Sequence, residues 1–328
     1  MKPLFSLIIP SFNVEAYLND CINSIIQQYN YLKYTEVIII NDGSADKTQQ
    51  IAEQYAQKYP FIKVYHQNNG GLSRARNNGL KYANGDYIWF IDADDWISTQ
   101  SLKTLYYIIS LHSPDMVMFN ACNIISNNEL RPRLQFKDVN HPKKGSEVFL
   151  SNEWESCSPF NLYSRKFLLK NSLSFYDGIF HEDNEFTPRV LLSANSVIQT
   201  NNVLYYVRQT NGSITRTINP KRANDIIVVA QSLNDFIHGK ATKEQQLNKL
   251  IRIRMSKHIA MCLNSALAQT RKFSVDEIHK FSSNLIQHKE LLKHFRNSNN
   301  LKYIIEWVFL KAFSNPLTGY RFLSMFFK

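Results

Sequence analysis

The first part of the chain alternates between short apolar runs and amphipathic stretches. Leu4 to Ile9, Glu36 to Ile40, Ile62 to Tyr65 and Ile88 to Ile91 have the length and β-branched or aromatic content of buried strands. Between the first two, Ala16, Leu18, Cys21, Ile22, Ile25 and Ile26 recur at helical spacing. Asp46 to Tyr59 reads as a second helix, with Asp46 as its N-cap and Pro60 just past its end. A third carries Arg74, Arg76 and Asn77 and stops at Asn84-Gly85. The order β-α-β-α-β-α-β predicts an α/β fold, a mostly parallel sheet flanked by helices with right-handed crossovers. In such a sheet the polar loops that end the strands share one edge. These loops are Pro10 to Asn13, Asn41 to Ser44, Asn69 to Ser73 and Asp92 to Asp95.

Met116 to Ile125 and Val197 to Val207 are further strand-like runs. Ser126 to Ser146, rich in Asn, Pro and Lys, is expected to be an insertion or a mobile loop over the site. From Pro220 the period is helical, strongest over Ile226 to Ile237, Glu244 to Ala268 and Val275 to Phe295. The expected division is a nucleotide-binding domain over residues 1–218 and a helical C-terminal region over 219–328. Leu301 to Phe327 gathers Trp307 and many Phe residues with Lys302, Lys311, Arg321 and Lys328. Two readings stand: an interfacial membrane anchor, or a terminal helix whose aromatic face packs on the rest of the protein. No apolar run approaches the ~18 residues a membrane span needs.

Charge sharpens this division. Of 38 Lys+Arg and 27 Asp+Glu, residues 201–328 hold 20 basic and 7 acidic side chains, and the rest is close to neutral. A basic tail suits an anionic partner: lipid head groups, a phosphorylated or acidic glycan, or nucleic acid. Cys21, Cys122, Cys157 and Cys262 have no CxxC spacing and read as free thiols in a reducing, cytoplasmic compartment.

The candidate chemistry lies at Asp92-Ala93-Asp94-Asp95. Three carboxylates within four residues repel one another unless a cation or hydrogen-bond donors balance them. A hard divalent ion such as Mg²⁺ or Mn²⁺ does so. A solvated turn whose last Asp caps a helix starting near Ser98 is the other reading. Ligands of open α/β sheets bind beyond the carboxyl ends of the strands, where these acids fall.

Five fragments carry a resemblance: Pro10 to Leu18, Asn41 to Asp46, Asn69 to Asn77, Asp92 to Asp95 and Glu182-Asp183. In this order and spacing the chain resembles the family 2 glycosyltransferases of the GT-A fold, in the bacterial branch that decorates capsules and lipopolysaccharide. The match spans roughly residues 1–216. It implies that Pro10, Phe12 and Glu15 border the nucleotide base and that Asp42 accepts from uracil N3–H, unless Asp42 only closes an Asx turn. Asn69, Gly70 and Arg74 would approach base and ribose. Arg74 or Arg76 could instead pair with Asp42 or the acid cluster. Asp92 would hold the ribose, with Ala93 beside it, and Asp94 would hold Mn²⁺ or Mg²⁺. Asp95, His181 and Glu182 would support the site from behind or on the acceptor side.

Asp183 matches the family's general base, its basicity raised by Phe180, Phe186 and the like charges of Glu182 and Glu185; otherwise these acids favour a helix N-terminus. Arg208, Ser213 and Arg216 fall where a basic loop meets the diphosphate. Phe160 replaces the family's usual Trp near the acceptor, and the Gln-x-x-Arg-Trp motif of processive members is absent. The implied activity is inverting, metal-dependent transfer of one sugar from a UDP-sugar to a glycan or glycolipid acceptor, at the inner face of the cytoplasmic membrane. Nucleotidyl transfer also uses paired Asp, but no Gly-rich loop with a triphosphate-binding Lys is found. Nucleic-acid or glycan binding by the basic tail is the non-enzymatic alternative, and no nucleic-acid module is recognisable.

Overall fold

The apolar runs form strands because each is covered by helices. β1 (Phe5–Ser11) and β2 (Thr35–Asn41) are buried along their whole length. Parallel pairing joins β1 to β2, β2 to β3 (Ile62–His66) and β1 to β4 (Tyr87–Phe90). The crossovers are α1 (Leu18–Ile26), α2 (Thr48–Lys58) and α3 (Leu72–Tyr82). α1 turns Leu18, Cys21, Ile22 and Ile25 inward. Gly79 lets α3 lie close on β1, since a Cβ there would meet Ile8 Cγ2 at 2.3 Å. This computed structural model describes residues 2–124, 129–151, 153–209, 219–239, 245–312, 315, 317, 318 and 321.

After β4 come β5 (Trp96–Ile97), α4 (Ser101–His112) and β6 (Met116–Ile124). Then follow β7 (Leu130–Pro132), β8 (Pro142–Lys143), α5 (Gly145–Leu150), β9 (Asn161–Ser164) and α6 (Arg165–Lys170). α7 (Glu182–Ser193) and β10 (Val197–Arg208) complete this series. The sheet order is β3-β2-β1-β4-β9-β6-β10-β5. β9 runs antiparallel to both β4 and β6, so the sheet is mixed beyond its parallel half. Trp89, fully buried, holds the junction: its indole donates to Pro159 O at 2.7 Å and meets Phe119 edge-on.

Several expectations change here. The second helix begins at Thr48, with Lys47 rather than Asp46 at the cap position. Asp46 instead accepts from the amides of Thr48 and Glu15, and so ties two loops together. α4 starts at Ser101, and Asp95 does not cap it. The described part of the expected loop over 126–146 is fastened to the sheet. β7 pairs with β6, β8 with β10, and buried Phe136 exchanges two hydrogen bonds with the Asn201 amide. Residues 125–128 lie outside the described set.

Two compact units are distinguished, Met1–Gly178 with Val190–Ser213, and Ile179–Arg189 with Ile214–Lys328. Glu182 and Asp183 therefore fall in the second unit. Its helices are α8 (Pro220–Gly239), α9 (Gln245–Gln269), α10 (Val275–Gln287), α11 (Lys293–Asn297) and α12 (Leu301–Ala312). Pro220 opens α8, where its missing N–H is harmless. The expected helix from Val275 to Phe295 breaks at His288 into a 3₁₀ turn and α11. Periodicity misses this break because a spacing of three to four buried residues suits both helix types. In the last segment, Tyr303 packs edge-on against Phe295 and Arg296 lies over Trp307, while Leu301 and Val308 are exposed. Phe313 and residues 322–328 lie outside the described set. Among the described residues no helix is long and apolar enough to cross a membrane.

Candidate active site

The strand order reverses between β1 and β4, and this switch point opens the crevice. β1 and β4 pair only as far as Ile8 and Phe90. Pro10 lies just beyond, still aligned with Ile40 of β2, so its missing N–H costs no bond to β4. Phe12, Asn69 and Arg74 stand exposed at the rim, whereas Pro10 and Ala93 are buried parts of its frame.

The loops at this edge brace one another. Asn13, at φ 51°, donates its amide to Ser44 Oγ and accepts from Ala45 N. Glu15, expected near the base, accepts from Lys47 N at 2.8 Å and so holds the start of α2. Asn41, not Asp42, closes the Asx turn onto Ser44 N. Asp42 is buried; its Oδ1 accepts from Gly70 N and Gln67 Nε2, and its Oδ2 from Gly71 N at 2.8 Å. Asp42 thus anchors the glycine loop. Gly71 needs its freedom there, at φ 84°.

The acid cluster is organised by partners that the motif does not reveal. Arg76 is 1% exposed, stacks over Phe175, and donates to Asp92 Oδ1 at 2.9 Å. Asp92 N donates to the hydroxyl of fully buried Tyr205. Asp95 accepts from Arg208 N at 2.8 Å. Burial, with Asp92 and Asp94 nearby, pushes the Asp95 carboxyl well above the usual range, partly offset by the Arg208 amide and the Tyr205 hydroxyl. For Asp94, burial and then Asp92 raise the pKa to about 6, against a smaller opposing pull from Arg208.

The Arg208 guanidinium pairs with Asp20 at 2.7 Å, donates to Asp94 O, and lies over Trp96 and Tyr17. Arg216 and Ser213 lie outside the described residues. Cys21, beneath these acids, is a buried free thiol. We predict that Arg76→Met lowers stability by about 3 kcal/mol, the scale of a buried pair losing one partner; urea unfolding measures it.

This charge balance fits a divalent cation. Asp92 is paired with Arg76, and Asp95 takes hydrogen bonds from the Arg208 amide and the Tyr205 hydroxyl, so among the described residues Asp94 is the acid of the three whose carboxylate no other element holds. Among the described residues, no three His, Cys, Asp or Glu side chains are grouped to hold an ion by themselves. A donor set this sparse suits Mg²⁺ or Mn²⁺, which keep water and phosphate oxygens as ligands.

In the second unit, Glu182 and Asp183 open α7, after His181 at φ 64°. Asp225 fixes this entry by accepting from Phe180 N at 2.8 Å. Burial, with Arg222 next, lowers the His181 pKa to about 4, so its ring is neutral at pH 7. The Glu185 carboxylate, expected to repel Asp183, is instead neutralised by Arg189 and bonded to Ser232 Oγ. Pro188 lies inside the helix and supplies no N–H to Asn184 O, four residues earlier. His258 Nε2, 3.1 Å away, is the substitute donor. Residue 258 lies in a distant helix, so only folding reveals this support for the Asp183 turn. Phe160 is buried against Tyr205 rather than offered to an acceptor.

A parallel βαβ half with an Asp-x-Asp motif at its switch point is the GT-A arrangement. A family model described as glycosyl transferase family 2 matches residues 6–171, and the chain belongs to that family. The uncharacterized glycosyltransferase EpsJ of Bacillus subtilis is 33% identical over 229 residues, covering 66% of this chain and 64% of EpsJ. This chain therefore spans less than two thirds of that relative. Staphylococcus aureus TarS residues 1–349, solved with UDP-GlcNAc, shares the fold at a TM-score of 0.78 and 24% identity, over 98% of this chain and 90% of that one. A mannosyltransferase from Pyrobaculum calidifontis, solved with GDP-Man and Mn²⁺, gives a TM-score of 0.55 at 14% identity, over 99% of this chain and 88% of that one.

Proposed function

We propose that the protein is an inverting, metal-dependent glycosyltransferase that moves one hexosyl or N-acetylhexosaminyl group from a UDP-sugar to a hydroxyl of a cell-surface glycan. The acceptor is a lipopolysaccharide, capsule or lipid-linked oligosaccharide. The observation that carries this reading is that two of the three acids in the cluster are tied to other elements and the third is not. Asp92 and Asp95 are held in place by partners from other elements, and the half-buried Asp94 carboxylate is left to a ligand. The binding of UDP-GlcNAc by TarS supports a uridine donor. Asp42 Oδ2, with a single partner shown, keeps a lone pair for the uracil N3–H.

Asp94 would hold Mn²⁺ or Mg²⁺, and the ion would supply Lewis-acid stabilisation of the charge on the leaving diphosphate. Arg208 lies beside Asp94 and would steady a phosphate oxygen; the family resemblance assigns Arg216 the same task. Asp183 takes the proton from the acceptor hydroxyl as it attacks the anomeric carbon. A single base and one in-line displacement invert the configuration. The exposed Leu301 and Val308 beside Lys302 support contact between the C-terminal region and an anionic membrane surface.

Asp183→Asn is expected to lower the transfer rate about 10²-fold or more, the usual share of a general base, while UDP affinity stays as in wild type. Titration calorimetry with UDP and a radiolabelled-sugar transfer assay read the two quantities separately. Failure to bind UDP or any UDP-sugar with Mn²⁺ present overturns the donor assignment, and unchanged transfer by Asp183→Asn overturns the base.

A further inference from the structure

Helices α8, α9 and α11 of the second unit line an open cavity of about 570 Å³ to which no carboxylate among the described residues contributes. His238 ends α8, Lys249 and Arg252 come from the first turns of α9, and Lys293 and His294 come from α11. Lys249 and Arg252 are exposed and Lys293 is half-buried. None of these three cations has an acidic partner among the described residues. Three like charges around one cavity repel one another, and an anion relieves that repulsion.

The cavity is also built to keep its shape. Gln245, Asn248, Lys249, Arg252 and Ser256 follow the spacing of a single face of α9. That face is polar apart from Ile253, while Met255, Ile259, Leu263 and Leu267 turn into the core. At the cavity floor, His294 is 2% exposed. Its Nδ1 accepts from Ser256 Oγ at 2.9 Å, and its Nε2 donates to Asn234 Oδ1 at 3.0 Å. Burial, then Lys293 and His238, lower its pKa to about 4, so this ring contributes form and not charge at pH 7. His238 is likewise held, its Nδ1 donating to Asn234 O. The open side presents the Lys249 and Lys293 ammonium groups and the forked guanidinium of Arg252. Asn248 and Asn297 add neutral donors.

We propose that this cavity binds a phosphate ester, and that it does so with no residue of the donor crevice. A phosphate offers several oxygens at once, which suits two ammonium groups and a bidentate guanidinium better than a single carboxylate does. The inference does not depend on the transfer reaction. In an enzyme that glycosylates a surface polymer, such a site would retain a phosphate-bearing acceptor between encounters.

The test uses the full-length chain saturated with UDP and Mn²⁺, so that the donor crevice is filled. Inorganic phosphate, the soluble diester glycerophosphoglycerol, and vesicles of phosphatidylglycerol are titrated in turn, with phosphatidylcholine vesicles as the neutral control. Wild type is expected to bind phosphate or its diester at one site, and K249A/R252A to weaken that binding at least about tenfold, as expected when charge-assisted hydrogen bonds are removed. Both substituted side chains are exposed, and an unchanged melting temperature confirms that the variant folds. Lys293→Gln provides a second variant on a different helix.

Comparable affinity for the soluble diester and for vesicles assigns the site to a phosphodiester in solution. Binding to phosphatidylglycerol vesicles alone, lost in the same variants, assigns it to a lipid head group. No binding in any arm, or variants that bind as wild type does, overturns the proposal.

Discussion

Asp94→Ala is expected to abolish sugar transfer, by about 10³-fold or more, and to remove any dependence of UDP binding on Mn²⁺. The size follows from the charge that develops on the leaving diphosphate. Preorganised electrostatic stabilisation of such charge is worth several kcal/mol in a dry site. Among the described residues Asp94 is the member of its cluster whose carboxylate no other element holds, since Asp92 is clasped by Arg76 and Asp95 by the Arg208 amide and the Tyr205 hydroxyl; the bond that Arg208 makes to Asp94 O uses the backbone and survives the substitution. Its loss should therefore leave the crevice intact. Asp95→Ala should behave differently, because it releases the end of β10 and lowers stability. Transfer kinetics and UDP calorimetry on both variants, each with a melting curve, separate the two roles. Transfer by Asp94→Ala within tenfold of wild type would remove Asp94 from the metal site.

The second large effect is a loss of stability in the second unit as pH falls below about 6.5. His258 and His294 are buried, and burial lowers both pKa values to about 4, from an unfolded value of about 6.5. Arg254 adds to this for His258, against an opposing pull from the Asn184 carbonyl. Between these two pH values the unfolded chain binds protons that the folded one refuses, so stability rises with pH across the window. It is fully present above about 6.5 and lost as pH drops toward 4. Each ring is worth up to about 3 kcal/mol. Hydrogen exchange of α8 and α9 amides should accelerate steeply from pH 6.5 to 5 after correction for the intrinsic rate. His258→Gln keeps an N–H donor, and it should flatten about a third of that slope, since His181, also lowered to about 4, and His294 supply the rest. A slope identical to wild type in that variant would mean that His258 does not titrate on unfolding.

Much of the donor half was legible from the chain. Leu4 to Ile9, Glu36 to Ile40 and Ile88 to Ile91 form strands close to where their apolar runs fall, since a buried parallel strand must be apolar on both faces. The polar loops then share one edge by topology alone. What misled were local capping rules. Asp46 and Glu15 each look free to serve a helix or a ligand, yet they exchange their bonds across two loops. The stretch over 126–146 looks like a loose loop because its anchors, Asn201 and β10, are far away in sequence. The break at His288 leaves the spacing of buried residues unchanged and so leaves no trace in periodicity.

By itself the sequence determined the element order, the edge on which the ligand loops meet, and the acids on that edge, because these depend on residue type and spacing along the chain. Only the tertiary structure decided which acids are tied down, since Arg76, Tyr205 and Arg208 reach Asp92 and Asp95 from other elements. Only the tertiary structure supplied the donor that Pro188 cannot give Asn184, and only it brought Lys249, Arg252 and Lys293 around one cavity. The reason is common to all three. Electrostatic and hydrogen-bond partners act over a few ångströms in space, and chain spacing does not encode such distances between segments tens of residues apart.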